Sequence, residues 1–208
     1  TENVCFLKVE NPKYGTLDCD RSKWEVVFCN SDEKNAVSEP NGDKGGVGCL
    51  FDDDINSYWH ANWSGGTNND DQFPQLFQGG REMPITIVVD MKESLIVHSI
   101  GWTQRQNSDY QDTKKVEYYV SDDEQFKLGG KEDYSPVALN NWTFVMERSY
   151  QKGYNATQWQ TQSEEVLQKK VKGHLLKVKI VEGYRDRLAS GAELYVKQLL
   201  AIDGEPIK

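Results

Sequence analysis

Long apolar runs are missing from this 208-residue chain. Its longest, such as residues 85–89, are strand-sized, far short of the ~18 residues that a spanning helix needs. No membrane insertion is expected. Positive charge is also scarce: 24 Lys and Arg stand against 33 Asp and Glu, a net charge of −9. Such a surface repels phosphate backbones, so nucleic acid is excluded as an expected partner. The best basic stretch, "QKKVKGHLLKVK", is explained by lysines along an exposed strand, where they also guard a sheet edge.

Cysteine is sparse. Cys5, Cys19, Cys29 and Cys49 all fall in the first quarter, and no Cys-x-x-Cys pair exists, which leaves a zinc ribbon or thioredoxin-like site unsupported. Two readings stay open: one or two disulfides, which would suit an exported protein, or free buried thiols. The chain starts without Met, shows no signal peptide and reads as a mature fragment. There are three Asn-x-Ser/Thr sequons, at Asn62, Asn141 and Asn155.

Catalytic signatures are absent as well. The chain has no His-Glu-x-x-His, no phosphate-binding Gly-x-x-x-x-Gly-Lys-Ser/Thr and no Gly-x-Ser-x-Gly elbow. "NGDKGGVG" is Gly-rich but lacks the flanking strand and helix, and reads as a flexible loop. Of three histidines, His98 and His174 lie in strand contexts and read as satisfied sheet residues. The third, His60, has no identifiable nucleophile to serve. Asp52–Asp54 could supply an acid and a base, but three adjacent acids are more commonly compensated by a cation. The expectation is a non-enzyme.

What the chain has is β signal and aromatics. Hydrophobic residues make up 37%, enough for one core, and the length suits one large all-β domain or one domain with a short appendage. Strands are read near residues 23–29, 85–90, 95–104, 115–121, 142–146, 175–182 and 194–202. "VEYYVSDD" and "LLKVKIVEG" alternate with the period of half-buried strands. One helix-like run covers 163–171. Many strands with long polar loops predict an all-β antiparallel sandwich, a jelly roll. Trp24, Trp59, Trp102 and Trp142 read as core. Trp63 and Trp159 lie among polar, turn-forming residues, where burial is less needed. The segments 30–48 and 64–83 are long loops, and loops beyond about 12–15 residues are often functional. Residues 1–18 read as a linker, an extra edge strand or the tail of an upstream domain.

One cluster stands out: "LFDDDINSYWHANW", residues 50–63. Asp52, Asp54 and Asn56 have the opening spacing of a helix-loop-helix calcium loop, but that loop needs Gly at its sixth position and Glu at its twelfth. Ser57 and Trp63 stand there, so that motif fails. Calcium stays chemically sensible because hard oxygen donors crowd one turn. The ion prefers ~6–8 oxygens, so carbonyls and a distant carboxylate would be required, with Glu193 a candidate.

Seven segments in order, the last two a closing pair, then carry a resemblance. "DRSKWEVVFCNSDE" opens it. "LFDDDINSYWHANWSGG" follows, close to the pattern Leu-Ile-Asp-Gly-Asp/Asn-x-x-Thr-x-Trp-His. After it come "PITIVVDM", "IGWTQRQN", "VEYYVSDD" and the closing pair "LLKVKIVEG" and "ASGAELYV". Over residues 19–202 the chain resembles the factor V/VIII type C (discoidin) domain family and, within it, the family-32 carbohydrate-binding modules of bacterial surface proteins. The resemblance implies an eight-stranded β-sandwich jelly roll, galactose-binding-domain-like, over residues 19–208, with ligand loops at one end. It implies a structural calcium held by Phe51, Asp52, Asp54, Ser57, Ala192 and Glu193. Asp53 replaces the family's Gly and Ser57 its Thr; Asp tolerates a positive φ better than most residues.

The same resemblance implies a sugar site built from His60, Trp63, Arg105, Asn107 and Tyr110, with Trp159 a further loop aromatic. Glu33 or Glu39 would accept from another hydroxyl. The mix suits a sugar: His and Arg donate, Asn both donates and accepts, and an aromatic face packs on the C–H side of a pyranose. The expected protein is a non-catalytic module of an exported, cell-surface bacterial glycan-utilisation protein, extracellular. Its ligand would be a galactose-type sugar or a host or plant glycan. The alternative is a protein-interaction or structural domain on the same scaffold, docking other domains of a larger parent.

Overall fold

The computed structural model describes residues 13–33, 46–63, 82–123 and 141–207. Eleven short and long strands, one short helix and two 3-10 turns make up its elements. The strands are β1 (Tyr14–Asp18), β2 (Glu25–Cys29), β3 (Trp59–His60), β4 (Ile85–Thr103), β5 (Thr113–Ser121), β6 (Thr143–Ser149), β7 (Gln158–Thr161), β8 (Lys172–Gly183), β9 (Ser190–Gly191), β10 (Glu193–Ile202) and β11 (Glu205–Pro206). The all-β antiparallel sandwich is as the sequence predicts.

β4 organises both layers. Its first half, from Ile85 to Asp90, pairs with β2 on one side and β8 on the other. β8 then pairs with β5, and β5 with β6. Its second half, from Val97 to Thr103, pairs with β10 and β7, and β1 closes the edge against β10. The strands expected at 85–90 and 95–104 are therefore one continuous strand that turns a corner. The turn sits at Lys92, whose φ is positive at 68°. Its N–H donates to Asp90 Oδ1 at 2.8 Å, and its ammonium spans Glu25 at 2.6 Å and Asp90 at 3.0 Å.

The core lies between the layers. Ile87, Val89, Val116, Tyr118, Val120, Leu176, Val178 and Ile180 meet Ile100, Trp102, Leu194 and Val196. In β5 the alternation is plain: Val116, Tyr118 and Val120 point inward while Glu117 and Tyr119 are partly exposed. Trp24, Trp59 and Trp102 are buried as expected, whereas Trp142 is half-buried on a separate outer cluster with Val27, Phe28, Val88 and Leu175. The helix α1 (Glu164–Gln168) is shorter than the run that suggested it. Ser163 caps it by accepting from Val166 N, and Leu167 anchors it on Ile96 and Leu199.

Residues 14–18 of the expected N-terminal appendage are an edge strand of the sheet. Cys19, Cys29 and Cys49 form no disulfide with one another; Cys5 lies outside the described residues. The "QKKVKGHLLKVK" lysines are accounted for locally: Lys179 pairs with Glu117 at 2.8 Å, and Lys177 sits over the rings of Tyr119 and Trp142. His98 bonds Ser99 Oγ at 2.5 Å, and His174 faces Asp90 at 3.1 Å, both satisfied in the sheet.

Candidate functional site

One end of the sandwich gathers the segments 31–33, 58–63, 104–112 and 184–190. A two-stranded ladder is its floor. β3 pairs with β9, Trp59 opposite Gly191 and His60 opposite Ser190, and Ala61 N donates to Ala189 O at 2.8 Å. Glycine is required at 191, because a Cβ there would lie 2.2 Å from Trp102 Cζ2. The start of the first loop is tied to the same floor: Trp59 Nε1 donates to Ser31 O at 3.2 Å, Asn62 N to Ser31 Oγ at 3.0 Å, and Trp63 N to Glu33 Oε2 at 2.7 Å.

The loop after β4 is held by a buried amide. Gln104 Oε1 accepts from Trp102 Nε1 at 3.1 Å and from Thr113 N at 3.2 Å. Its Nε2 donates to Thr113 O at 2.6 Å and to Gln151 O at 3.1 Å. Both ends of the loop are thus fixed by one side chain. Asp112 adds a second tie, accepting from Gly153 N at 2.7 Å and bridging to Ser190. Its other carboxylate oxygen is buried without a hydrogen-bond partner. Burial, with Asp109 nearby, pushes this carboxyl up to about 6.

On this frame Arg105 lies over Tyr58, the guanidinium carbon 3.8 Å from the ring centroid, and its Nε donates to Asn107 Oδ1. Stacking of this kind fixes a guanidinium while leaving its in-plane N–H groups free to donate. Tyr110, 53% exposed, carries Arg185 over its face at 3.5 Å. Trp63 is 36% exposed. The arrangement offers forked donors, an amide and two partly exposed aromatic rings, a chemistry suited to hydroxyl-rich ligands.

The expected sugar residues do not all come together. Arg105, Asn107 and Tyr110 share one loop, and Trp63 follows the ladder that borders it. His60 is a correction: it is buried, with its ring stacked on Tyr58 at 5.7 Å and Nδ1 3.2 Å from Ala61 O. It packs against the ring that carries Arg105 and is not exposed. Trp159 lies apart, on β7 opposite Gly101, its ring against Tyr195 and under Lys197. Glu33 is buried and serves as a tether for Trp63. Glu39 and residues 64–81 of the second long loop lie outside the described residues. Sequence reasoning missed Tyr58, Gln104, Asp112 and Arg185. Only Tyr58 carried a signal, as an aromatic in the cluster "LFDDDINSYWHANW".

The expected calcium ligands behave differently. Asp53 has the positive φ, 63°, that the family's Gly position requires. Asp52 accepts from Asp54 N at 2.9 Å and Ser57 Oγ at 2.7 Å; Asp54 accepts from Asn56 N at 2.9 Å. Glu193 is buried and bonded to Arg21 Nη1 at 2.5 Å. Among the described residues no three acidic, His or Cys side chains group so as to hold a metal ion. As they are arranged, Phe51, Asp52, Asp54, Ser57, Ala192 and Glu193 do not gather into a calcium-binding set: Arg21 holds Oε2 of the distant carboxylate, whose Oε1 is buried without a hydrogen-bond partner.

No protein-family model matches the sequence, and the comparison with curated proteins returns no match. Solved structures do match. A family-32 carbohydrate-binding module from Clostridium perfringens, solved in complex with galactose, has a TM-score of 0.57 at 17% identity, over 88% of this chain and all (100%) of that one. An F5/8 type C domain from Bacteroides fragilis has a TM-score of 0.56 at 13% identity, covering 88% of this chain and 97% of its own. A SusE-like protein has 0.61 at 15% identity, covering 93% and 68% respectively. The chain has the fold that carbohydrate-binding modules of family 32 share with F5/8 type C domains.

Proposed function

We propose that this chain is a non-catalytic carbohydrate-binding module that takes a sugar at the loop end through Arg105, Asn107, Trp63 and Tyr110. The observation that carries the reading is Arg105 held over Tyr58 beside Asn107, on the fold of modules solved with sugar bound. Arg105 and Asn107 would bond ring hydroxyls, and Trp63 or Tyr110 would cover the apolar face of the pyranose. His60 packs its ring against Tyr58. Affinity is modest, since a small polar ligand gains little from desolvation and one good contact is worth only a few kcal/mol, about 1–3. The ligand class is a galactose-type sugar or a host or plant glycan, and the setting is an exported, cell-surface bacterial glycan-utilisation protein. The SusE-like and sugar-bound neighbours support that setting.

A glycan array probed with wild type, Arg105→Ala and Trp63→Ala tests the reading. Binding to a defined set of glycans that both substitutions weaken at least tenfold is the expected result. A flat array for the folded wild type, or binding indifferent to both substitutions, overturns it and favours a protein-docking domain on the same scaffold.

A further inference from the structure

At the seam between the acidic turn and the closing strand, the positive charge comes from the chain itself. Arg21 lies on the 3-10 turn Arg21–Lys23, whose entry is capped by Asp20 accepting from Ser22 N at 3.0 Å. The cap turns the arginine inward, and its side chain is only 5% exposed. Nη1 donates to Glu193 Oε2 at 2.5 Å, Leu194 O at 3.0 Å and Leu50 O at 3.3 Å, while Nη2 pairs with Asp53. The guanidinium also lies 4.0 Å from the Tyr195 ring centroid. One planar fork thereby joins three separate segments: the turn before β3, the start of β10 and the entry to β2.

We propose that the Arg21 guanidinium takes over in this chain the structural role that the resemblance gives to a calcium ion. It neutralises Glu193 and Asp53 together and clips the acidic turn to β10. Three features favour the substitution. A planar fork with five donors can serve carboxylates and carbonyls at once, as a hard cation would. The remaining acids accept hydrogen bonds from within the turn, Asp52 from Asp54 N and Ser57 Oγ, Asp54 from Asn56 N. A divalent ion on Glu193 would sit beside a fixed positive charge in partly dehydrated surroundings, where like charges repel strongly. Among the described residues Arg21 is the one cation paired with this buried carboxylate, at Oε2, and Oε1 has no hydrogen-bond partner. This inference stands independently of sugar binding.

The test uses the whole chain, stripped with EGTA. Calcium binding is read by calorimetry and metal content, and melting is followed with chelator and with added calcium. Wild type is expected to bind no calcium and to melt at the same temperature in both conditions. Arg21→Gln is expected to melt lower by roughly 6–20 °C, as breaking a buried ion pair does in a domain of this size. Arg21→Lys should recover only part of the loss, since a point charge cannot fork. Wild type binding one calcium per chain with a raised melting temperature overturns the proposal, as does an Arg21→Gln variant that melts like wild type. If Arg21→Gln yields no folded protein, the wild-type calcium arm still decides.

Discussion

Gln104→Leu should be the most damaging substitution near the candidate site that touches no ligand. The side chain is fully enclosed and makes four hydrogen bonds, to Trp102 Nε1, Thr113 N, Thr113 O and Gln151 O. Leucine keeps most of the volume and removes every polar atom. Gln151 O retains another donor, Gln158 Nε2 at 3.0 Å. Trp102 Nε1 and Thr113 N lose the acceptor they share. Each buried donor left unsatisfied costs about 1–3 kcal/mol, so the total is roughly 2–6 kcal/mol. Against a total stability of about 5–15 kcal/mol this is severe, and it corresponds to a melting-temperature drop of roughly 4–24 °C for a chain of this size. Urea denaturation of wild type and variant, with an unchanged m-value, measures it. Because Gln104 ties both ends of the loop carrying Arg105, Asn107 and Tyr110, sugar affinity should fall alongside stability. A loss below about 0.5 kcal/mol, the size of an ordinary surface change, would refute the idea that this amide anchors the loop.

Three further outcomes follow from the same geometry. Asp112→Asn should stabilise the chain near neutral pH and do little near pH ~4: the native carboxyl binds its proton more tightly than the unfolded one, so wild-type stability contributed by this group is present below the unfolded value of 3.8 and is lost as pH rises through about 6. Denaturation of both proteins across that range checks it, and a pH-independent difference would contradict it. Gly191→Ala should be poorly tolerated, because the new methyl would meet Trp102 at 2.2 Å; overpacking typically costs about 1–3 kcal/mol, and circular-dichroism melts read the loss. Trp159→Ala should leave sugar binding unchanged, since its ring packs on Tyr195 away from the Arg105 loop, and titration calorimetry distinguishes this from a loss.

The main strands were legible because burial on one face writes period-two alternation into β5 and β8. β1, β3, β7, β9 and β11 were not. Two-residue ladders such as Trp59–His60 with Ser190–Gly191 carry no period, and edge strands such as β1 bury little. The corner at Lys92 split one strand into two apparent ones, since a positive φ within an otherwise paired strand leaves no mark beyond a polar break. Arg105 and Asn107 could be singled out because a resemblance placed them on a loop. Arg21 could not, although it stood in the same opening motif: an arginine in "DRSKW" looks like surface, and its partner Glu193 is 172 residues away in the chain. His60 was misjudged for a related reason. Its neighbours in sequence suggest exposure, while in the β3–β9 ladder it is buried and packs against Tyr58.

The location of the ligand is the most direct test of the account. A 15N-labelled sample titrated with galactose, with N-acetylgalactosamine, and with the glycans that the array returns would report it by chemical-shift changes. The account predicts perturbations concentrated on Tyr58, Trp63, Arg105, Asn107 and Tyr110, with Trp159, Tyr195 and the outer strands silent. Shifts centred on the Trp159 face, or none at saturating sugar, would contradict it.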